Sequence, residues 1–303
     1  MAGGYGTVVL PIGMAGACAV LVSIIVLGII DRRLINRLSI RLIFALALAD
    51  LLNHIGGHLS ITQASNMWTS SCYGLAGFQM FTRTFYNFTN LAICFNLFRS
   101  LILMKKSNWA YELAIWISMF IIIVPLMVGY YFLGAFTGTI QKAGCNPGSK
   151  DKTNDKVFSF LAGFICLITI LSGILVTYFG HKNMNRYAQA YVDNGEYKEE
   201  DKEALKKQLR KMAQLSFLYP LATCITLPAE MIYNFMKLAG YRNSNAIIAM
   251  TVLGGLSGLF TLIAFILDPA VWRSVKVAYR RIKNRNSDEQ DIKDNNEFQL
   301  MEL

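Results

Sequence analysis

Charge is scarce in this sequence. Of its 303 residues, 16% are Asp, Glu, Lys or Arg, against roughly 25% in an ordinary soluble domain. With 54% hydrophobic residues, a soluble chain this long would expose more apolar surface than it could hide. The same shortage of charge excludes a disordered chain and a coiled coil. Histidine occurs three times, and no zinc-ligand spacing stands out. The six cysteines are too few for a disulfide scaffold. Alternating apolar and polar runs, as in a membrane barrel, are missing too. What remains is a polytopic helical membrane protein.

Seven continuous apolar stretches are long enough to cross a bilayer at about 20 residues each. They lie near 7–30, 39–59, 72–103, 109–133, 157–180, 212–236 and 245–267. The first lacks the basic start and short apolar stretch of a cleaved signal peptide and is expected to stay as a helix. The formal net charge is +10, which would raise nucleic acid as a partner were the charge not sorted by side. Of the 29 basic residues, 22 fall on one side of the spans. They include Arg32, Arg33, Arg37 and Arg41 after the first span and Arg99, Lys105 and Lys106 after the third. The others follow the fifth and seventh spans. Six fall on the opposite side, among them Lys142, Lys237 and Arg242. The positive-inside rule then puts the N-terminus outside and the C-terminus in the cytosol. No nucleic-acid partner is expected.

Polar groups inside spans are costly and mark function by default. Span two carries Asp50, His54 and His58 at i, i+4 and i+8, on one helix face. Such a row spreads its ligands too far for one tetrahedral ion, so no metal is expected. Span three carries Gln79, Arg83, Tyr86, Asn87 and Asn90. Arg83 lies eleven residues past Cys72, or roughly 16 Å along a helix. A guanidinium at that depth needs a partner. Glu230 in span six fits best by depth; Asp50 or a ligand anion are the other choices. Arg83, His58, Gln79, Tyr86, Asn87 and Glu230 are the candidate ligand-binding residues. Asn87-Phe88-Thr89 has the glycosylation pattern but lies within a span. Only six residues precede the first stretch, so recognition is expected in the bundle and its outer loops. That favours a small molecule or short peptide.

Cys18, Cys94, Cys166 and Cys224 lie inside spans as small packing residues. Cys72 and Cys145 both face the oxidising side, where they form a disulfide or remain two thiols. Pro220 and Pro228 in span six each remove a backbone hydrogen bond and are expected to bend that helix, a hinge or a static kink. Gly254, Gly255 and Gly258 in span seven would permit close helix approach. The run from Glu199 to Lys211 is rich in helix formers, with Glu203 placed to pair with Lys206 and Lys207. It is expected to extend span six. Residues 269–285 form a basic amphipathic pattern suited to an anionic membrane surface. Residues 286–303 are acidic and polar, and are expected to be disordered.

Several motifs carry a resemblance. Leu46-Ala47-Leu48-Ala49-Asp50, Trp116 with Pro125, and Asp268-Pro269-Ala270-Val271-Trp272 resemble spans two, four and seven of rhodopsin-like receptors. Tyr219-Pro220-Leu221 with Pro228, together with Asp268-Pro269-Ala270-Val271, is closer to the cyclic-AMP-receptor-like G-protein-coupled receptors of slime moulds and fungi. Span three ends Asn96-Leu97-Phe98-Arg99 without Asp-Arg-Tyr, and span six lacks the usual Trp. These departures favour the second group. The resemblance implies a plasma-membrane receptor that senses a small extracellular ligand and activates a heterotrimeric G protein. It implies an activation switch among Asp50, Asn90, Pro220, Pro228, Asp268 and Pro269. It also implies G-protein contacts at Arg99, Lys105, Lys207, Arg210 and Lys211. No cofactor or catalytic activity is expected. A retinal protein is set aside because 245–267 contains no lysine for a Schiff base. A proton-linked small-solute transporter is the alternative, with the Asp50 and His54 row as its path, although no inverted repeat is visible.

Overall fold

The computed structural model describes residues 2–35, 38–62, 70–105, 108–137, 145–193, 202–203, 206–207, 210, 214–241 and 243–283. Among these residues all regular structure is helical. The main helices are α1 (Ala2–Ile30), α2 (Leu38–Thr62), α3 (Ser70–Leu97), α4 (Trp109–Phe132), α5 (Lys152–Asp193) and α6 (Leu218–Leu238). They are followed by α7 (Ser244–Gly255), α8 (Ser257–Leu267) and α9 (Pro269–Lys283). A single turn, Arg32–Ile35, joins α1 to α2. The expected tail 286–303 lies outside the described residues.

Among the described residues six helices are long and apolar enough to cross a membrane, with α7 and α8 acting together as one of them. The chain is therefore a multi-pass membrane protein. The remaining long helix, α3, has 28 residues, but polar ones are spread along it. Gln79, Thr82, Thr84, Asn87, Thr89 and Asn90 are all buried in it. It can carry them because α2, α4, α5 and α6 pack around it. Neighbouring helices then shield polar side chains that lipid would not accept. By contrast, α4 is packed on one side only. Tyr111, Ile115, Met119 and Ile123 recur every four residues as its buried stripe, while Ile117, Phe120, Ile121, Val124 and Val128 are exposed. An apolar face turned outward in this way fits a lipid environment.

Helix α1 crosses the α7–α8 helix closely. A Cβ on Gly13 would meet the Gly255 carbonyl and the His54 ring, and one on Gly16 would meet the Gly258 backbone. Small residues let backbones approach this closely. Gly255 and Gly258 lie in the contact as expected, but Gly254 does not: a Cβ there would meet nothing within 4 Å.

Several boundaries differ from the sequence expectation. Span five, expected over 157–180, belongs to a helix that runs through Lys152–Asp193. Span three does not continue as α-helix to 103; it changes to a π-turn over Phe98–Ile102. The break in span six is at Phe217, between helical residues 214–216 and the start of α6. Pro220 causes it, since proline cannot donate to residue 216 and its ring crowds that carbonyl. Pro228 sits inside α6. The amphipathic helix is described from Pro269 through Lys283, and residues 284–285 lie outside the described residues. It packs Val277 and Ala278 against Leu27 of α1 and exposes Trp272, Val275 and Tyr279.

Candidate functional site

One end of the bundle is tied by a disulfide. Cys72, in the first turn of α3, bonds Cys145, in the segment before α5. The Cys145 N–H also donates to the Ser60 carbonyl at 3.4 Å. This pins Pro147 above a cavity between α3, α4, α5 and α6.

The cavity is lined by Arg83 and Asn87 from α3, Tyr130 from α4, Phe158 and Cys166 from α5, and Glu230, Tyr233, Asn234 and Lys237 from α6, with several apolar residues. Its enclosed volume is about 20 Å³, room for roughly one water molecule. Arg83 Nη1 lies 3.3 Å from Glu230 Oε1, with the two side chains 27% and 18% exposed. Of the three partners the sequence left open, Glu230 is the one met. Above this pair Lys237 Nζ meets Asp155 Oδ1 at 2.6 Å and lies over the Phe158 ring. Tyr130 is 1% exposed and packs edge-on against Phe158, with ring centroids 5.4 Å apart. Among the described residues neither its hydroxyl nor the buried Asn87 amide oxygen makes a hydrogen bond.

A second α3–α6 contact lies deeper. Thr223 donates to Asn90 Oδ1 at 2.5 Å, and Asn90 Nδ2 donates to the Tyr86 carbonyl at 3.0 Å. Asn90 is seven residues after Arg83, and Thr223 is seven before Glu230. The two contacts therefore keep one antiparallel register over two helical turns, and both sit on the facing sides of α3 and α6.

Deeper again, α2 meets α8. Asp50 is fully buried. It accepts from Ser257 at 2.5 Å and from Thr261 at 2.9 Å. Ser257 and Thr261 are one turn apart, which aims both hydroxyls at one carboxylate. His54 Nε2 is 3.4 Å from the same Ser257 hydroxyl. The i, i+4 reading of Asp50 and His54 as one inward face agrees with this. Tyr219 of α6 lies beside Asp268, whose carbonyl accepts from Val271 and Trp272 at the start of α9.

The end opposite the disulfide is held by different groups. Arg41 of α2 meets Glu112 of α4 at 2.5 Å. Glu112 also accepts from the Trp116 indole at 3.4 Å. Arg99, in the π-turn, stacks its guanidinium 3.8 Å from the centre of the Tyr111 ring. A π-turn is often found where a helix serves function.

The expected site residues thus divide. Arg83, Asn87 and Glu230 line the cavity. Gln79 does not: it is buried and donates to the Gly56 carbonyl at 2.7 Å, joining α3 to α2. Tyr86 is buried in the central core, and half-buried His58 is outside the cavity lining. Pro220 lies in the first turn of α6, just after the irregular residue Phe217, and Pro228 and Asp268 occupy the expected elements. Pro269 opens α9. Lys105 and Lys207 are exposed and Arg210 is half-buried. The expected Glu203–Lys206 pair is present at 4.0 Å. Lys211 lies outside the described residues.

Sequence reading missed Tyr130, Lys237 and Asp155 at the cavity, and Glu112 at the far end. It also missed Ser257 and Thr261, whose four-residue spacing in an apolar stretch was a usable signal. Among the described residues no group of three His, Cys, Asp or Glu side chains converges as a metal site would require. The chain matches no protein-family model and no curated protein.

Proposed function

We propose that this protein is a seven-span G-protein-coupled receptor of the plasma membrane. It senses a small extracellular ligand and activates a heterotrimeric G protein on the cytosolic side. In this reading α3 is the seventh crossing, its polar residues enclosed by the other helices. The basic excess on the Arg99 side makes that end cytosolic, and the disulfide end faces outward. The α9 helix lies on the inner leaflet with Trp272 and Tyr279 toward lipid.

The observation that carries the proposal is the Arg83–Glu230 pair, which joins α3 to α6 and lines the cavity beneath the disulfide-tethered segment. A ligand that separates the two charges changes the free energy of one helix arrangement relative to another, as a two-state receptor requires. The break at Phe217 gives α6 a point about which its cytosolic extension turns. Motion there uncovers the surface formed by Arg99, Lys105, Lys207 and Arg210. The account assigns no catalytic group and no cofactor.

Proton-linked transport is the second reading, favoured by the full burial of Asp50 and His54 on one face of α2. The two readings separate in one pair of assays. The chain is expressed with a panel of G-protein activation sensors and exposed to small metabolites, and vesicles bearing it are assayed for proton-coupled uptake. Activation that is lost in Arg83→Ala supports the receptor. Uptake without activation of any G protein supports the transporter and overturns the receptor.

A further inference from the structure

The cavity is built around both signs of charge. Arg83 and Glu230 face each other across it at 3.3 Å, and its third charged group, Lys237, is held by Asp155 at 2.6 Å. The space beside the Arg83–Glu230 pair is small, about 20 Å³, so an amino-acid-sized molecule gains room as the two side chains part.

Entry has a chemical consequence. A simple anion would satisfy Arg83 and strand the Glu230 carboxylate, and a simple cation would do the reverse. Breaking a partly buried pair while leaving one partner uncompensated is unfavourable. A molecule with a carboxylate at one end and an ammonium at the other replaces both halves of the pair. Two further groups await a partner at the same place. The Tyr130 hydroxyl and the Asn87 amide oxygen line the cavity, are more than nine-tenths buried, and make no hydrogen bond among the described residues. Buried polar groups of this kind are ordinarily paired. The hydroxyl can donate to a carboxylate, and the amide oxygen can accept from an ammonium.

We infer that the ligand is a small zwitterion of the amino-acid or betaine class, bound with its carboxylate on Arg83 and Tyr130 and its ammonium on Glu230. The ammonium of an amino acid also reaches Asn87; a quaternary betaine has no proton to give and leaves that oxygen unpaired. Amino acids therefore bind more tightly than betaines of similar size. This inference rests on the reading of the cavity as the ligand site.

The test is a binding measurement on the full chain in lipid nanodiscs, with no G protein present. The probes are the twenty free amino acids, glycine betaine, acetate and methylammonium, read by thermal shift and by calorimetry. At least one amino acid should raise the unfolding midpoint by several degrees. Acetate and methylammonium should bind at least about a hundredfold more weakly, because each leaves a charge stranded. Glu230→Gln should shift preference toward acetate, and Arg83→Gln toward methylammonium. Tyr130→Phe keeps the ring packing and should weaken the amino acid about tenfold through the lost hydrogen bond.

Should either charge variant fail to fold, the wild-type selectivity and Tyr130→Phe decide the matter. Binding of acetate as tight as that of every amino acid overturns the inference. So does the absence of any shift with all twenty amino acids and betaine, or an amino-acid affinity unchanged in Tyr130→Phe. A zwitterion that binds without provoking nucleotide exchange on any G protein contradicts the receptor reading and leaves the ligand class standing. Exchange driven by a singly charged agonist does the opposite.

Discussion

Ser257 of α8 donates a 2.5 Å hydrogen bond to Asp50 of α2, and Thr261 donates a second to the other carboxylate oxygen at 2.9 Å. One carboxylate thus fixes the position of two turns of the last span against the second. Asp50→Ala removes both acceptors and leaves two buried hydroxyls to find partners. The expected loss is about 2 kcal/mol, seen as a lower unfolding midpoint in detergent. Asp50→Asn keeps one good acceptor and should lose less. Equal midpoints for wild type and Asp50→Ala would show that this contact does not hold the helices.

The α1 crossing makes a sharper steric forecast. Gly258→Ala places a Cβ against the Gly13 carbonyl, and Gly13→Ala places one against His54 and the Gly255 carbonyl. Backbone cannot yield as a flexible side chain does, so each should cost about 1–3 kcal/mol. Gly254→Ala meets nothing within 4 Å and should be neutral or slightly stabilising, since alanine is the better helix former. The three midpoints measured side by side check the crossing, and a destabilising Gly254→Ala would contradict it.

How much of this was legible in the sequence follows from distance along the chain. Asp50 and His54 share a face because they are one turn apart, and local spacing shows that directly. Arg83 and Glu230 could be matched by depth, since helix rise converts residue number into position across the bilayer. Arg41 with Glu112, and Lys237 with Asp155, could not. Each pair lies at helix ends, where rotation and tilt decide which side chains meet, and neither is written in residue spacing. The bend expected from Pro220 could be placed only to within a turn, and the irregular residue is Phe217. A proline acts on the turn before it, so the disruption falls a few residues earlier. The small volume of the cavity depends on how Tyr130 and Phe158 pack, which no motif encodes.

Glu112 and Arg41 are unequal partners. Arg41 is 41% exposed and Glu112 only 12%, so the pair itself is worth at most about 1 kcal/mol after solvent screening. Glu112 also receives the Trp116 indole and sits in the first turn of α4, where a negative charge is favoured. Glu112→Ala should therefore destabilise more than Arg41→Ala. Chemical unfolding of both variants tests the ranking, and the reverse order would remove Glu112 from its central place.

The disulfide holds the segment that roofs the cavity. Cys72→Ser with Cys145→Ser should lower stability by about 2–4 kcal/mol and weaken ligand binding together with it. A reducing agent should produce the same loss in wild type and no further change in the double variant. Unchanged binding in the double variant would show that the roof is not needed.

The central claim is that separating Arg83 from Glu230 is what activates the receptor. Its most direct test is nucleotide exchange on a heterotrimeric G protein, with purified wild type, Arg83→Ala and Glu230→Ala in nanodiscs, with and without the best-binding ligand. The account predicts ligand-stimulated exchange by wild type. It predicts loss of that stimulation in both variants, with basal exchange raised because the α3–α6 tie is gone. Stimulation by the ligand that is equal in wild type and both variants, or no exchange on any G protein by any of the three, would contradict it.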